Sequence, residues 1–276
     1  MRIALDARTI QDHFPGIGRY TFNLVLALAD VAPQDELVLL YDPLQHNTRF
    51  DLDLLRAKHN VRLIRVGAGP FALSAQWRVP AALHAVQANV YHSAYYLMPY
   101  LARRPTVVTL YDLIPLRYPR YFSPVQRLVF RAAMRLSILA SERLLAISKA
   151  TAGDLHTYLH VQPERIVVTP LAPDPALRRV TASAIAELRA RYRLPERFVL
   201  YVGSNKPHKN LVRLVEAQAR VPSSLRVPLV IAGHWDPKHP EAKQVAARLD
   251  LSDVRWLGAI PGSDLAALYS AAAPEE

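Results

Sequence analysis

Residues 1–31 read MRIALDARTI QDHFPGIGRY TFNLVLALAD V. An apolar run from Arg2 to Ala7 has the length and composition of a strand. After a polar interval, the loop Pro15-Gly16-Ile17-Gly18-Arg19-Tyr20 leads into a stretch, Gly18 to Val31, whose apolar residues recur at helical spacing. Strand, glycine-bearing loop and helix, in that order, are the opening unit of an α/β domain.

Outward from this unit the alternation continues. Strands are predicted at Arg2 to Ala7, Glu36 to Asp42, Val61 to Val66, Asn89 to His92, Thr106 to Tyr111, Arg143 to Ile147 and Arg165 to Thr169. Helices are predicted at Gly18 to Val31, Ser74 to Gln87, Ser123 to Ala140 and Ser148 to Leu159. Ser123-Pro124 is a cap followed by proline at the first helical position. The proline-rich passage Pro163 to Pro175 reads as a linker, which divides the chain into lobes 1–175 and 176–276. In the second lobe, strands are predicted at Phe198 to Val202, Leu229 to Ala232 and Val254 to Leu257. Its helices fall at Ala182 to Tyr192, Asn210 to Arg220, Glu241 to Leu249 and Ser263 to Ala272.

The chain has 276 residues, too many for one small core, so two packed lobes are expected. No cysteine is present, which excludes disulfides, thiolate metal sites and cysteine nucleophiles. Asp6 and Arg8 interrupt the opening apolar run before it reaches signal-peptide length, and no apolar stretch approaches the roughly 20 residues that cross a bilayer. A soluble or peripherally attached cytoplasmic protein is expected, on the inner face of the plasma membrane if attached. The 34 Lys and Arg against 23 Asp and Glu give a net charge of +11, which favours anionic partners: phosphates, acidic lipid surfaces or nucleic acid.

Four segments carry candidate chemistry. Gly16 and Gly18 allow close backbone approach at a helix start, where unpaired amides attract an anion; the alternative is an entry turn that uses glycine for its backbone angles. The dinucleotide fingerprint is not met, because Thr21 stands where its third glycine belongs. In Tyr201-Val202-Gly203-Ser204-Asn205-Lys206-Pro207-His208-Lys209-Asn210-Leu211, Lys209 precedes a helix and could converge with its amides on a diphosphate, or be a solvated loop lysine. The strand Val107 to Leu110 delivers Tyr111 and Asp112 to its carboxyl end, where Asp112 could accept sugar hydroxyls or cap a turn. Arg127, Arg131 and Arg135, four residues apart, form one stripe suited to lipid head groups or a phosphate-bearing acceptor, or a solvated helix face. Arg103, Arg104, Arg117 and Arg120 add to that charge. Asp51-Leu52-Asp53 has the spacing of a metal–diphosphate motif but reads as a surface accident, and His156 with His160 reads as ordinary helix sequence. No metal site is expected, and no nucleic-acid-binding motif occurs.

In order, the start Met1 to Arg8, the Gly16 to Tyr20 loop, Asp112-Leu113-Ile114-Pro115, Ala146-Ile147-Ser148, Val168-Thr169-Pro170-Leu171, Lys206 to Asn210, Val230-Ile231-Ala232-Gly233 and Trp256-Leu257-Gly258 resemble the retaining family-4 glycosyltransferases, bacterial mannosyltransferase-like members especially. The resemblance implies GT-B architecture: two Rossmann-like lobes of parallel sheet flanked by helices, with the active site in the cleft between them. It implies transfer of a hexose from a nucleoside diphosphate sugar, GDP-mannose by preference, to a lipid-linked or polysaccharide acceptor, with retention and without a metal or other cofactor. On it, Gly16 and Gly18 match the loop that closes over the donor, Asp112 matches the acidic member of a His-Asp pair, Lys209 matches the diphosphate-binding lysine, and Lys206 is a second phosphate contact. Tyr111 stands where many members have histidine, and Ser204 where arginine is common. The family's two donor-lobe glutamates, separated by seven residues, have no counterpart, since no glutamate here has another eight positions on. The resemblance therefore implies an incomplete donor lobe in this sequence, with weak donor binding and poor turnover. The alternative is a catalytically inactive remnant that serves as a binding or scaffold protein.

Overall fold

The structure, a computed structural model, describes residues 1–272. The chain divides into two compact units, Met1–Ala172 and a second that begins at Pro173.

The first unit runs β1 (Arg2–Asp6), α1 (Pro15–Val31), β2 (Glu36–Tyr41), α2 (Leu52–Arg56), β3 (Val61–Arg65), α3 (Ala75–Ala85), β4 (Val90–Ser93), β5 (Thr106–Leu110), α4 (Ile114–Arg117), α5 (Pro124–Ala140), β6 (Arg143–Ala146), α6 (Lys149–Leu159) and β7 (Ile166–Val168). Its seven strands form one sheet in the order β3-β2-β1-β4-β5-β6-β7, and every neighbouring pair is parallel. Strand alternation sends Ala4, Val38 and Leu40 to one face, against Val79, Leu83 and Met134, while Leu5, Leu37 and Leu39 face Phe22, Val25 and Leu55 on the other. Helices thus cover both faces, as a buried parallel sheet requires. Strand order reverses between β1 and β4, and the carboxyl ends of those strands are where such sheets offer a crevice.

The second unit runs α7 (Ala182–Tyr192), β8 (Val199–Val202), α8 (Leu211–Arg220), β9 (Leu229–Ala232), α9 (Glu241–Arg248), β10 (Val254–Gly258) and α10 (Leu265–Ala272). Its parallel sheet has the order β10-β9-β8. Val230 and Ala232 meet Leu188 and Leu268, whereas Leu229 and Ile231 meet Leu211, Val215 and Val245.

Two expectations need correction. The Gly16 to Tyr20 segment is not a loop: α1 begins at Pro15, so both glycines lie in its first turn. Proline at the first helical position loses no hydrogen bond there, which lets the helix start three residues before Gly18. The short helices α2 and α4, five and four residues long, went unpredicted because neither is long enough to show a helical period.

Candidate active site

At the switch point of the first sheet, the end of β1 carries a buried ion pair. The Arg8 guanidinium donates from Nε to Asp6 Oδ1 at 2.8 Å and from a terminal nitrogen to Asp6 Oδ2 at 2.6 Å. Tyr91 on β4 donates its hydroxyl to Asp6 Oδ2 at 2.7 Å, and Arg8 also donates to the carbonyls of Ala68 and Gly69, each at 3.2 Å. Burial opposes ionisation of Asp6, but the charge and hydrogen bonds of Arg8, with the Tyr91 hydroxyl, hold its pKa below the usual carboxylate range. Every charge here is paired, so this cluster fixes the strand end and leaves no free group for a ligand.

Beside it, Thr109 on β5 joins two elements. Its hydroxyl lies 2.8 Å from His92 Nε2 and 3.1 Å from the Tyr20 hydroxyl, which ties α1 to the carboxyl end of the sheet. Burial pushes the His92 pKa down to about 4, so the imidazole is neutral at physiological pH. The two glycines of α1 differ. A side chain on Gly18 would stand 2.6 Å from the Thr9 carbonyl and 3.0 Å from the Phe50 ring, whereas nothing lies within 4 Å of one on Gly16. Gly18 is therefore required by packing, not by backbone angle.

Tyr111 and Asp112 follow β5 directly. The Tyr111 hydroxyl is buried without a hydrogen-bond partner, its ring edge-on to Tyr20 at 5.6 Å, and burial together with Tyr20 raises its pKa. It stays protonated and cannot serve as a base. Asp112 is exposed, and its Oδ1 accepts the Ile114 amide at 3.1 Å, capping the turn into α4. Its charge also acts on Tyr95 and Tyr96, raising the pKa of both, although burial is the larger cause.

The arginines of α5 differ in their surroundings. Arg127 has a buried Nε without a partner, Arg131 reaches the Tyr158 carbonyl at 3.4 Å, and Arg135 is exposed. The face that α5 turns to solvent is apolar: Val125, Leu128, Val129, Leu136 and Leu139 are 69%, 69%, 62%, 47% and 78% exposed. The arginines flank that face.

In the second unit, each strand ends on or next to a glycine, Gly203 after β8, Gly233 after β9 and Gly258 closing β10. Gly233 has φ +137° and Gly258 φ +74°, and a side chain on Gly233 would meet the Gly203 carbonyl at 2.1 Å. The ends of β8 and β9 therefore pack backbone to backbone, with the Tyr201 ring beside Gly203 and its hydroxyl donating to the Ser204 carbonyl at 2.8 Å, and only Gly258 faces open space. Asn205, buried, locks the loop after β8: its side-chain amide donates to the carbonyls of Asp236 at 2.8 Å and His239 at 2.7 Å, and its oxygen accepts the Asp236 amide at 2.7 Å. Lys206 and Lys209, both exposed, bracket a single 3-10 turn, closed by the Lys209 amide to the Lys206 carbonyl at 2.9 Å. Asn210, in left-handed conformation at φ 57°, then starts α8 without a side-chain cap. Two ammonium groups and an uncapped helix start are an arrangement suited to a diphosphate.

The sequence model described as Glycosyltransferase Family 4 matches residues 15–177, more than half of the chain. The chain belongs to glycosyltransferase family 4. A second model, Glycosyl transferases group 1, matches residues 185–273 of this family-4 glycosyltransferase. O-antigen chain mannosyltransferase B of Escherichia coli is 25% identical to it over 289 residues, covering 99% of this chain and 74% of that protein. The serotype-specific mannosyltransferase WbdA of Escherichia coli is 28% identical over 176 residues, 60% of this chain and 21% of WbdA. Among solved structures, HepE of Anabaena in complex with UDP-glucose superposes with a TM-score of 0.66 at 20% identity, covering 98% of this chain and 71% of that one. WaaG, a glycosyltransferase involved in lipopolysaccharide biosynthesis, gives 0.65 at 16% identity, covering 99% and 73%. These likenesses establish the GT-B fold.

Sequence reasoning about this family-4 glycosyltransferase missed Asn205, Thr109 and His92. It also missed the packing of Gly233 on Gly203, although each stands at the end of a predicted strand, and that repetition was the available signal. Asp51 and Asp53 have structural roles: Asp51 accepts the Asp53 amide to cap α2, and Asp53 pairs with Arg56. His156 bonds the Val161 carbonyl at 3.1 Å, and His160 ends α6 in left-handed conformation.

Proposed function

We propose that this chain transfers a hexose, mannose by preference, from a nucleoside diphosphate sugar to a lipid-linked or polysaccharide acceptor, with retention and without a metal ion. The observation that carries the reading is the pair Lys206 and Lys209 in the loop after β8, at the uncapped start of α8. A sugar diphosphate concentrates its negative charge on the diphosphate, and unpaired amides at a helix start next to two ammonium groups suit it. The kinship with mannosyltransferases favours GDP-mannose, and the UDP-glucose held by HepE keeps UDP sugars as the competing donor.

In the reaction the C1–oxygen bond to the diphosphate breaks, the acceptor oxygen bonds C1, and the acceptor proton leaves with the diphosphate. Negative charge grows on the leaving group in the transition state, so Lys206 and Lys209 contribute most there. On the first unit, residues 1–175 take the acceptor side, and Asp112 accepts a sugar hydroxyl with the carboxylate oxygen that does not cap the turn. Tyr111 supports that edge as a neutral phenol. Residues 176–276 form the donor side. The apolar outer face of α5, flanked by Arg127, Arg131 and Arg135, supports peripheral attachment to an anionic membrane.

The test is incubation of the protein for hours with GDP-mannose and a synthetic lipid-linked mannoside, with product identified by mass spectrometry and anomeric NMR. An α-linked product from the α-linked donor, formed equally in chelator, supports the proposal. An inverted product, or activity abolished by chelator, contradicts it.

A further inference from the structure

The carboxyl edge of the first sheet carries an aromatic ladder that neither the ion pairs nor the helix starts explain. His13 and Phe14 come from the segment after β1, Phe71 from the segment after β3, and Tyr95 and Tyr96 from the segment after β4. Their rings touch in series. Phe14 stacks on Phe71 at 5.6 Å with 29° between planes, and His13 stands edge-on to both, at 4.7 Å from Phe14 and 5.6 Å from Phe71. Phe14 meets Tyr95 at 5.2 Å, and Tyr95 meets Tyr96 at 4.5 Å. Three crossover segments thus converge on one rigid strip.

The outer end of the strip is not core. Phe71 is 60% exposed and His13 is exposed, whereas Phe14 beneath them is 7% exposed. A large ring left open to water on a preordered support, at the edge where α/β sheets bind ligands, is the arrangement of a recognition surface. The polar groups beside it decide the chemistry. Tyr95 and Tyr96 are half-buried phenols, and the Asp112 carboxylate lies within electrostatic reach of both. An apolar ring face next to phenols and a carboxylate matches a pyranose, which presents C–H groups on one face and hydroxyls around its rim. A hydrocarbon chain would use the rings but none of the hydroxyl-binding capacity of the phenols and the carboxylate beside them.

We infer that the His13–Phe14–Phe71–Tyr95–Tyr96 strip is an acceptor-saccharide subsite, on which Phe71 stacks against a hexopyranose while Asp112 and the tyrosines take its hydroxyls. The inference rests on the glycosyltransferase reading and specifies where the non-reacting sugars of the acceptor lie. Because ring stacking is tolerant of linkage, the strip selects for pyranose chains and leaves the choice of attacking hydroxyl to the site itself.

The experiment is saturation-transfer NMR and calorimetry on the full chain with an α-linked mannotriose, with GDP titrated in parallel. Phe71 is exposed, so Phe71→Ala keeps the fold. It is expected to weaken mannotriose about tenfold while GDP affinity stays within about twofold, and Phe71→Trp restores the saccharide. Lys209→Ala gives the converse pattern. Mannotriose bound equally by wild type and Phe71→Ala, or GDP bound with no mannotriose, overturns the subsite and leaves the donor reading standing. Farnesyl phosphate bound at Phe71 in place of mannotriose overturns it in favour of a lipid. A folded chain that binds neither GDP nor mannotriose overturns both.

Discussion

Asp6 and Arg8 have side chains only 5% and 1% exposed, so the pair depends wholly on its partners. Arg8→Met leaves a buried carboxylate with only the Tyr91 hydroxyl and the backbone amide of residue 8, and is expected to cost about 3–5 kcal/mol, measured by urea unfolding at pH 7. The sequence offered these two residues only as interruptions of an apolar run, because Tyr91 lies 85 positions away and nothing local announces it. His92 gives a separate prediction. Its folded pKa, about 4, lies below the value of 6.5 expected when unfolded, so between those values the unfolded chain binds a proton that the folded chain does not. Stability therefore falls as pH drops from 6.5 to 4, by about 1.4 kcal/mol per pH unit and roughly 3 kcal/mol in all. Asp6, with its pKa lowered, contributes stability that is lost only at more acid pH, as the pH falls through its folded value. His92→Gln is expected to flatten the stability profile between pH 6.5 and 4 while leaving the steeper acid limb. An unchanged profile would show that another group titrates there.

The elements were more legible than the contacts between them. Strand alternation and helical spacing placed β1 to β10 and the long helices to within a residue or two, except for the start of α1, which lies three residues earlier than expected, since both periods are written in the apolar positions themselves. What spacing cannot convey is which face of an element finds a partner. In α5 the apolar residues next to the arginine stripe turn out to form the solvent face, and Phe130, Ala133, Met134, Ser137 and Ile138 pack inward. Substituting Leu128→Glu and Leu139→Glu together should leave thermal stability nearly unchanged and release the protein from phosphatidylglycerol vesicles in a sedimentation assay. Retention on the vesicles would remove α5 from the account of membrane binding. In α1 the two glycines should separate cleanly. Gly18→Ala forces a methyl against the Thr9 carbonyl and is expected to cost about 1–3 kcal/mol. Gly16→Ala meets open space in a helical turn, and is expected to be neutral or to stabilise by up to about 1 kcal/mol. Equal effects in thermal denaturation would contradict this difference.

The chain as a whole has two α/β units, each with its own parallel sheet and its own cores, and a net charge of +11. Its family was readable from the ordered series of short segments, each weak by itself, because a fold with many chemistries is distinguished by what stands at the ends of its strands. The edge to which the donor is assigned by proposal was only half readable. Lys206 and Lys209 announce themselves by charge, whereas the close approach of Gly233 to Gly203 exists only once β8 and β9 lie side by side. The most direct measurement is calorimetric titration of the chain with GDP, UDP, GDP-mannose and UDP-glucose, repeated on Lys209→Ala. Saturable binding of one nucleotide family, weakened about tenfold or more by the substitution, is the result expected of a diphosphate held at the start of α8. Binding of none of the four by folded protein, or binding indifferent to Lys209, would contradict the assignment of the donor to this edge.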